Sequence, residues 1–500
     1  MTRHVRLTLL AAWALWLSLA VCSVQAADPL RIGSKRFTES YILAQVLAQQ
    51  VAPHAQVDVR QGLGNTAIVY AALQSGSIDL YPEYTGTVAL EILKSRAPLT
   101  LEAMNEQLRP LGLGVAIPLG FNDGYALAMR RDVAQRLGIR RLSDLARHPT
   151  ARLGLSNEFI GRADGWQGLA KAYGLPQQPS GLDHGLAYDA LAAGQVDVID
   201  IYTTDAKIEH LGLQVLEDDA GHFPCYDAVV LYRLDVPVRF PAAWAALQRL
   251  AGSIDERTMI AMNARAELKG VAFDVIARDH LAGATGASGS GGGFWDKLWG
   301  PDLARLTLQH LGLVLASVAM AVLVGVPLAT AVAGHAGARS LVLGATGVLQ
   351  TVPSIAMLAV LITLVGRIGA VPALVALTLY ALLPIMRNTC TGLAEVPAGL
   401  RDAARSLGLT RAQRLRFVEL PIALPVIVAG VRTATTIAVG TATIAAFIGA
   451  GGYGERIVTG LALNDKALLL AGALPSAVLA LCCEAAFGLF ERRLRRTSRH

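Results

Sequence analysis

Five apolar stretches between Leu306 and the C-terminus constrain this chain more than any other feature. Each approaches the roughly 20 apolar residues that an α-helix needs to cross a bilayer. They span about 307–333, 340–365, 369–390, 421–448 and 467–490. Up to about residue 280, charged and apolar residues are mixed as in a soluble α/β protein, although the whole chain is 53% hydrophobic. We therefore expect a soluble first half and an all-α membrane region of about five transmembrane helices.

The basic residues indicate how these spans are oriented. Most lie in the loops after the first, third and fifth spans, at Arg339, Arg387, Arg401, Arg405, Arg411, Arg414, Arg416, Arg492, Arg493, Arg495, Arg496 and Arg499. The other two loops carry only Arg367, Arg456 and Lys466. Because basic loops stay in the cytoplasm, the first half is predicted to lie outside. The net charge of +6 then comes from basic residues that orient the membrane spans, which argues against nucleic-acid binding.

Two local patterns refine the membrane region. Residues 350–354 read Gln-Thr-Val-Pro-Ser, so the second span is expected to be kinked or broken at Pro353. Residues 449–454 read Gly-Ala-Gly-Gly-Tyr-Gly. They are interpreted as a tight loop, with a re-entrant turn as the alternative.

The N-terminus reads as a targeting segment. Arg3 and Arg6 precede an apolar run from Leu7 to Val21, and small residues before Ala26 offer a cleavage site. We predict a signal peptide over residues 1–26, with an uncleaved anchor as the alternative. In either case the following domain, residues 28–282, is exported.

The exported region contains an internal repeat. The segment 70–85 reads YAALQSGSIDLYPEYT and the segment 188–203 reads YDALAAGQVDVIDIYT, 118 residues later. Each copy predicts a helix closed by Gly and a buried strand ending in Tyr-Thr. The spacing favours two similar α/β lobes with a ligand cleft at the carboxyl ends of their strands. The alternative is that Tyr84 and Tyr202 are only packing residues.

The remaining boundaries follow from composition. After Leu281 the chain becomes Gly- and Ser-rich, which predicts a flexible linker over residues 283–300. Trp295 and Trp299 near its end are typical of a membrane interface. The transmembrane domain is then predicted over residues 301–491.

A polar, Arg-rich segment, residues 400–421, separates the third and fourth spans. It contains Asp402-Ala403-Ala404, then Gly408, then Leu420-Pro421. This order resembles the signature loop of permease subunits of binding-protein-dependent ABC importers; an ordinary basic loop is the alternative. The resemblance implies a short cytoplasmic helix that docks into an ATPase through Asp402, Ala403, Ala404 and Gly408.

The ATPase itself is predicted to be a separate subunit acting in trans. The sequence contains no G-x-x-x-x-G-K-[ST] phosphate-binding loop. Since one set of five spans offers half of a two-ATPase docking surface, we also expect a permease homodimer.

Motifs in the exported region resemble the substrate-binding proteins for glycine betaine, carnitine and choline. They include Gly33-Ser34-Lys35-Arg36-Phe37-Thr38-Glu39, Tyr81-Pro82-Glu83-Tyr84-Thr85-Gly86-Thr87, Asn122-Asp123-Gly124-Tyr125 and Tyr202-Thr203-Thr204-Asp205. The resemblance runs from about Leu30 to Leu281. It implies a type II periplasmic binding protein fold, in which two hinged lobes close over the ligand.

The resemblance also implies a set of ligand-binding residues. Aromatic faces suit a quaternary ammonium group, because the ring attracts the cation and replaces water around its methyl groups. The implied cage is Tyr84, Tyr125, Tyr202 and Tyr226. Arg162 and Lys35 are the candidate partners of a ligand carboxylate, and Thr87 adds a hydroxyl.

Together these features predict one subunit of an ABC importer that captures and translocates a quaternary ammonium solute such as glycine betaine, choline or carnitine. Ergothioneine, also a trimethylammonium betaine, is an alternative substrate, and a membrane solute sensor is an alternative class. The chain would be a multi-pass protein of the bacterial inner membrane with its binding domain in the periplasm. No catalytic motif or Cys/His cluster is evident, so no enzyme, metal or cofactor is predicted.

Overall fold

The computed structural model describes residues 28–95, 99–283, 293–463 and 465–497. The predicted signal peptide and half of the predicted linker lie outside the described residues. The strands are β1 (Leu30–Gly33), β2 (Val57–Arg60), β3 (Leu80–Tyr84), β4 (Leu113–Ala116), β5 (Tyr125–Arg130), β6 (Leu153–Ser156), β7 (Ser180–Leu182), β8 (Val198–Tyr202), β9 (Leu213–Val215) and β10 (Ala228–Arg233).

The helices of the same region cover both faces of these strands. They are α1 (Thr38–Val51), α2 (Thr66–Gln74), α3 (Leu101–Leu108), α4 (Arg131–Leu137), α5 (Asn157–Gly161), α6 (Trp166–Tyr173), α7 (His184–Ala192), α8 (Lys207–His210), α9 (Val236–Arg239), α10 (Pro241–Gln248), α11 (Glu256–Glu267) and α12 (Phe273–Leu281). A short helical turn at Thr85–Thr87 continues into a π-helix at Val88–Ile92.

The strands form two five-stranded sheets, one in each lobe. The first has the order β2-β1-β3-β10-β4 and the second the order β7-β6-β8-β5-β9. In each sheet the central strand, β3 or β8, has a parallel neighbour on one side and an antiparallel neighbour on the other. The predicted two-lobed α/β fold is therefore confirmed.

The sequence repeat corresponds to a structural repeat. Helices α2 and α7 begin and end 118 residues apart, as do strands β3 and β8. Gly76 and Gly194 close the two helices in the left-handed conformation, with φ of +69° and +67°. A glycine suits this position because a Cβ atom destabilises that backbone conformation.

The chain crosses twice between the lobes. It leaves the first sheet after β4 to enter the second at β5, and it returns between β9 and β10. The two crossing segments touch at an isolated antiparallel bridge between Asn122 and Asp227. These paired crossings are the hinge expected of a type II binding protein.

The C-terminal region is helical. Its helices are α13 (Phe294–Leu298), α14 (Leu303–Val332), α15 (Ala336–Thr351), α16 (Ser354–Val365), α17 (Ala370–Ala394), α18 (Ala398–Ser406), α19 (Arg411–Arg414), α20 (Leu420–Ala442), α21 (Gly454–Ala462) and α22 (Lys466–Thr497). Helix α17 packs against both α14 and α20, where Ala321, Ala381, Ile385 and Ala434 are buried together.

Within the described residues, four helices are long and apolar enough to cross a membrane, and a fifth span results if the bent pair α15–α16 is counted as one. The axes of that pair differ by 102°, and Pro353 lies at the break. The prediction of about five spans, with the second one broken, is therefore confirmed. Proline explains the break, because it cannot donate a backbone hydrogen bond and its ring clashes with the preceding turn.

The segment between the third and fourth spans forms two short helices. Helix α18 ends at Ser406, and Gly408 turns the chain with φ of +74°. Thr410 then caps α19 by accepting a hydrogen bond from the backbone N–H of Gln413. The turn is thus defined by local hydrogen bonds that the sequence pattern anticipates.

The glycine-rich segment after α20 forms a turn, as interpreted from its sequence. Gly449, Gly451 and Gly452 all have positive φ values, between +72° and +85°. Helix α21, which the sequence analysis does not predict, begins directly after this turn. It is held by Arg456, whose buried guanidinium bonds both carboxylate oxygens of Asp302, at 2.6 and 3.1 Å.

The two-lobed domain rests on the helical region through both lobes. In the first lobe, the guanidinium of Arg36 lies 4.9 Å from the ring centroid of Phe447, and Ile368 joins the buried cluster that contains Val69. In the second lobe, helix α7 packs on α21. The mouth of the cleft between the lobes consequently faces the membrane helices.

Candidate ligand-binding site

Strand register brings the predicted tyrosines together. Tyr84 and Tyr202 are the last residues of the equivalent strands β3 and β8. Tyr125 begins β5 and is the direct antiparallel partner of Tyr202, while Tyr226 lies two residues before β10, whose first residue pairs with Tyr84. All four tyrosines therefore lie at or next to strand ends, on the side of the two sheets that faces the cleft.

Their rings form one cluster, which we call the aromatic cage. The ring centroids of Tyr125 and Tyr202 are 5.1 Å apart, and those of Tyr125 and Tyr226 are 5.7 Å apart. Phe37 completes the cage, because its ring stacks on Tyr202 at 5.0 Å and lies 6.3 Å from Tyr84. Phe37 is a site residue that the sequence analysis missed, although its position next to Lys35 was a usable signal.

Two basic side chains lie against the faces of the cage rings. The Lys35 ammonium is 5.2 Å from the centroid of Tyr84, and the Arg162 guanidinium is 4.9 Å from that of Tyr125. Both cations are buried. These ring faces are therefore already used by the protein as cation-binding surfaces.

Each of these cations is also paired with a buried carboxylate. Lys35 donates to Glu83, and Arg162 forms a two-bond fork with Asp164 at 2.8 and 2.6 Å. The remaining terminal nitrogen of Arg162 lies 3.4 Å from the hydroxyl of Thr87. Burial acts to raise the pKa of Asp164, but its bonds to Arg162 outweigh burial and hold that pKa below its usual value. The structure thus groups all seven predicted ligand residues, while giving the two cations protein partners.

The cage adjoins a second, larger cavity. The cage cavity has an empty volume of about 270 Å³, and the neighbouring one has about 780 Å³, part of it open to solvent. Phe37, Glu158 and Tyr202 line both cavities, and Ala462 of helix α21 lines the larger one. A path from the cage toward the membrane helices is therefore bordered by Glu158, another residue that the sequence analysis did not select.

Buried acidic groups lie behind the cage at the junction of the lobes. The hydroxyl oxygen of Thr204 is 2.6 Å from a carboxyl oxygen of Glu39 and 2.8 Å from one of Asp123. A hydroxyl has one proton to donate, so it donates to one carboxyl and accepts a proton from the other. At least one of the two acids is consequently protonated in this arrangement.

The pKa values of both acids agree with that proton count. Burial raises the pKa of Glu39 to about 7, against the opposing effect of hydrogen bonds from Thr204, Tyr84 and Asn263. Burial and the nearby Glu39 also raise the pKa of Asp123 well above its usual value. The junction between the lobes therefore prefers to remain protonated at moderately acidic pH.

We expect this junction to make the two-lobed domain less stable as the pH rises. A pKa raised from 4.5 to about 7 contributes stability that is complete below pH 4.5 and is lost as the pH approaches and passes 7. The loss from Glu39 is about 3 kcal/mol on the scale of ~1.4 kcal/mol for each pH unit. Urea unfolding of residues 28–283 at pH 4.5, 6 and 8 measures it.

The matched variant for this measurement is Glu39→Gln, which keeps the size of the side chain and one acceptor oxygen but cannot ionise. The free energy of unfolding of the wild type minus that of the variant should fall with pH over this range. A difference that stays constant would contradict the assignment of the raised pKa to Glu39.

The predicted coupling residues lie far from the cage, on helix α18 and the turn after it. Ala404 is buried against the helical region, whereas Asp402, Ala403 and Gly408 are exposed. Leu407 and Phe417, with 79% and 63% of their surface exposed, lie on either side of Gly408 in the sequence. The segment therefore exposes small residues and two large apolar side chains.

Similar proteins fall into two groups that match the two halves of the chain. A glycine-betaine-binding protein of Pseudomonas aeruginosa is 34% identical over 58% of this chain and 99% of its own length. The osmoprotectant import permease protein OsmW of Salmonella typhimurium is 48% identical over 36% of this chain and 85% of its own length.

The name of a third relative includes both a permease and a binding protein. The ergothioneine transport permease/ergothioneine binding protein EgtU of Helicobacter pylori is 33% identical over 55% of this chain. The match covers 51% of that relative, so the chain is aligned with about half of its length.

Family models account for both halves. Residues 28–283 match the substrate-binding domain of ABC-type glycine betaine transport systems. Residues 321–496 match the inner membrane component of binding-protein-dependent transport systems. The chain therefore belongs to the family of ABC-type glycine betaine substrate-binding domains, here continuous with the permease of a binding-protein-dependent importer.

Proposed function

We propose that this chain binds a quaternary ammonium solute such as glycine betaine, choline or carnitine and carries it across the membrane. The observation that carries the proposal is the aromatic cage between the lobes, in which Lys35 and Arg162 already lie against tyrosine faces. Rings that hold an ammonium and a guanidinium at about 5 Å have the electrostatic character that a trimethylammonium group requires.

The spacing of the rings supports capture by lobe closure. With the centroids of Phe37 and Tyr202 only 5.0 Å apart, a trimethylammonium group does not fit between their faces. Tyr125 and Tyr202 belong to the second lobe, whereas Phe37 and Tyr84 belong to the first. The ligand would enter when the hinge separates these two pairs, and closure would then bring aromatic faces onto it from both sides.

The ATPase partner is proposed from the exposed surface around α18. Asp402, Ala403 and Gly408 are exposed, and so are the apolar side chains of Leu407 and Phe417 in the same segment. Small residues permit close approach of a partner, and exposed apolar groups favour its binding. A separate ATPase would dock there, and two copies of the permease would together bind two ATPase subunits.

The orientation is proposed from charge. The loops that carry most of the arginines would face the cytoplasm, which leaves the two-lobed domain on the opposite side, in the periplasm, with the helices in the inner membrane. In this orientation, the cleft faces the permease from outside and α18 faces the ATPase from inside.

Ergothioneine uptake is a second candidate function. It is favoured by the fused relative from Helicobacter pylori, whose name combines ergothioneine transport permease and binding protein. Ergothioneine carries the same trimethylammonium group, so the cage alone does not separate it from glycine betaine. Isothermal titration of the chain with choline, glycine betaine, carnitine and ergothioneine tests both candidates.

The cage assignment predicts a large effect of Tyr202. The Tyr202→Ala variant should bind a trimethylammonium ligand more weakly by about 1–2 kcal/mol, since it loses one cation-binding ring. The Tyr202→Phe variant keeps the ring and should lose much less. Titration calorimetry measures both.

Tyr70→Ala is the control, because Tyr70 lies on helix α2 outside the cage and should leave affinity unchanged. Equal affinities of the wild type and Tyr202→Ala would remove the basis for the cage.

A further inference from the structure

Among the described residues, five cations around the cleft each have an acidic partner. The two predicted to bind a ligand carboxylate, Lys35 and Arg162, are paired as described above. The three others are paired as Arg36 with Asp183, His184 with Asp205 and Lys207 with Glu267, at 3.7, 3.2 and 4.0 Å. A carboxylate on a ligand would therefore meet no unpaired cation among these cleft residues.

Acidic groups are in excess in the same cleft. Glu39 and Asp123 share the hydroxyl of Thr204 and hold at least one proton between them. Glu158 is different, because the structure gives it no cationic partner among the described residues. Its carboxylate accepts one hydrogen bond, of 3.0 Å, from the hydroxyl of Thr66 on the opposite lobe.

The position of Glu158 would bring its unpaired carboxylate close to a bound ligand. It lines the cage cavity together with Tyr125 and Tyr202, and it also lines the larger cavity that leads toward α21. A ligand whose ammonium group occupies the cage would place its tail near this carboxylate. Because Glu158 is partly buried, the interaction between the two charges would be screened less than at a fully exposed position.

We propose that Glu158 determines specificity by selecting a ligand with a net positive charge, such as choline, over a zwitterion such as glycine betaine. The proposal rests on the proposed function, since it requires a trimethylammonium group in the cage. Choline gains attraction to Glu158 and adds no negative charge. Glycine betaine adds a carboxylate that Glu158 repels and that no free cation of the cleft neutralises.

The test is a titration of the full chain in detergent micelles with choline and with glycine betaine. The wild type should bind choline more tightly. The Glu158→Gln variant, which keeps size but removes the charge, should bind choline about tenfold more weakly, the effect of a charge interaction in a partly buried site. Its affinity for glycine betaine should stay the same or rise.

Two control variants separate charge from lobe closure. Thr66→Val removes the hydrogen bond between the lobes but keeps the charge of Glu158, so it should change both affinities by the same factor. Glu209→Gln removes an exposed carboxylate of the same lobe and should change neither.

The outcomes distinguish this proposal from the function on which it rests. Tighter binding of glycine betaine than of choline by the wild type would overturn the role of Glu158 while leaving the cage intact. An equal loss of both affinities in Glu158→Gln would overturn it as well. If no trimethylammonium ligand binds the wild type, the proposed function fails, and this proposal fails with it.

Discussion

The Gly408→Asp variant is expected to abolish uptake and to leave ligand affinity unchanged. Gly408 is exposed and lies beside Leu407, on the surface proposed to bind the ATPase. An aspartate there would place a charge and four additional heavy side-chain atoms between two surfaces that must approach closely. The cage is on the other side of the membrane helices, so its affinity should not change.

Local structure should tolerate this substitution. A Cβ atom at Gly408 would meet no other atom within 4 Å, although the φ of +74° disfavours most side chains. Aspartate is one of the few residues that adopt this conformation at low cost, because its side chain can hydrogen-bond locally. The variant therefore tests the surface more than the fold.

Uptake of radiolabelled ligand into proteoliposomes that contain the partner ATPase measures the effect, together with titration of the same variant. Gly337→Asp is the matched control. Gly337 is also exposed with open space around it, lies in the first turn of α15, and is predicted to face the cytoplasm. Uptake at the wild-type rate by Gly408→Asp would disprove the docking assignment.

Replacement of Arg162 by methionine should destabilise the binding domain by about 3–5 kcal/mol, the range for breaking one side of a buried ion pair. Arg162 and Asp164 are both buried, and their fork is the main cationic contact of Asp164. In the variant, the carboxylate would remain buried with the hydroxyl of Tyr226 as its neighbour.

Urea unfolding of residues 28–283 measures this loss; a relative of this domain from Pseudomonas aeruginosa is aligned over 99% of its length as a separate chain. Arg152→Met is the control. Arg152 makes a similar fork with Asp197, but its side chain is 55% exposed, so the loss should be below about 1 kcal/mol. The double variant Arg162→Met/Asp164→Leu should recover part of the stability. A loss for Arg162→Met as small as for Arg152→Met would contradict the assignment.

The parts of the fold predicted from sequence are those with local signals. The repeat predicted two helix–strand pairs, because hydrophobic period and closing glycines are local properties. Proline located the break in the second span for the same reason. Helix α21 was missed because its position depends on the ion pair between Arg456 and Asp302, which are far apart in the sequence.

The residues of the candidate site that could be predicted are likewise those with local sequence signals. Tyr84 and Tyr202 could be placed together, because the repeat puts both at the carboxyl ends of equivalent strands. The partners of Lys35 could not be predicted, since Glu83 is 48 residues away and meets it only through the pairing of β1 with β3. Glu158 was not selected because nothing in its neighbourhood in the sequence shows that it lacks a cationic partner.

The contact between the two-lobed domain and the permease has a kinetic consequence. A free receptor must find its permease by diffusion, so delivery depends on the product of two concentrations. Here the receptor and permease are one chain, and a short tether holds them at an effective concentration on the order of millimolar. Delivery of the ligand to the membrane helices becomes a first-order step, and the initial uptake rate should increase in proportion to the number of chains and not to its square.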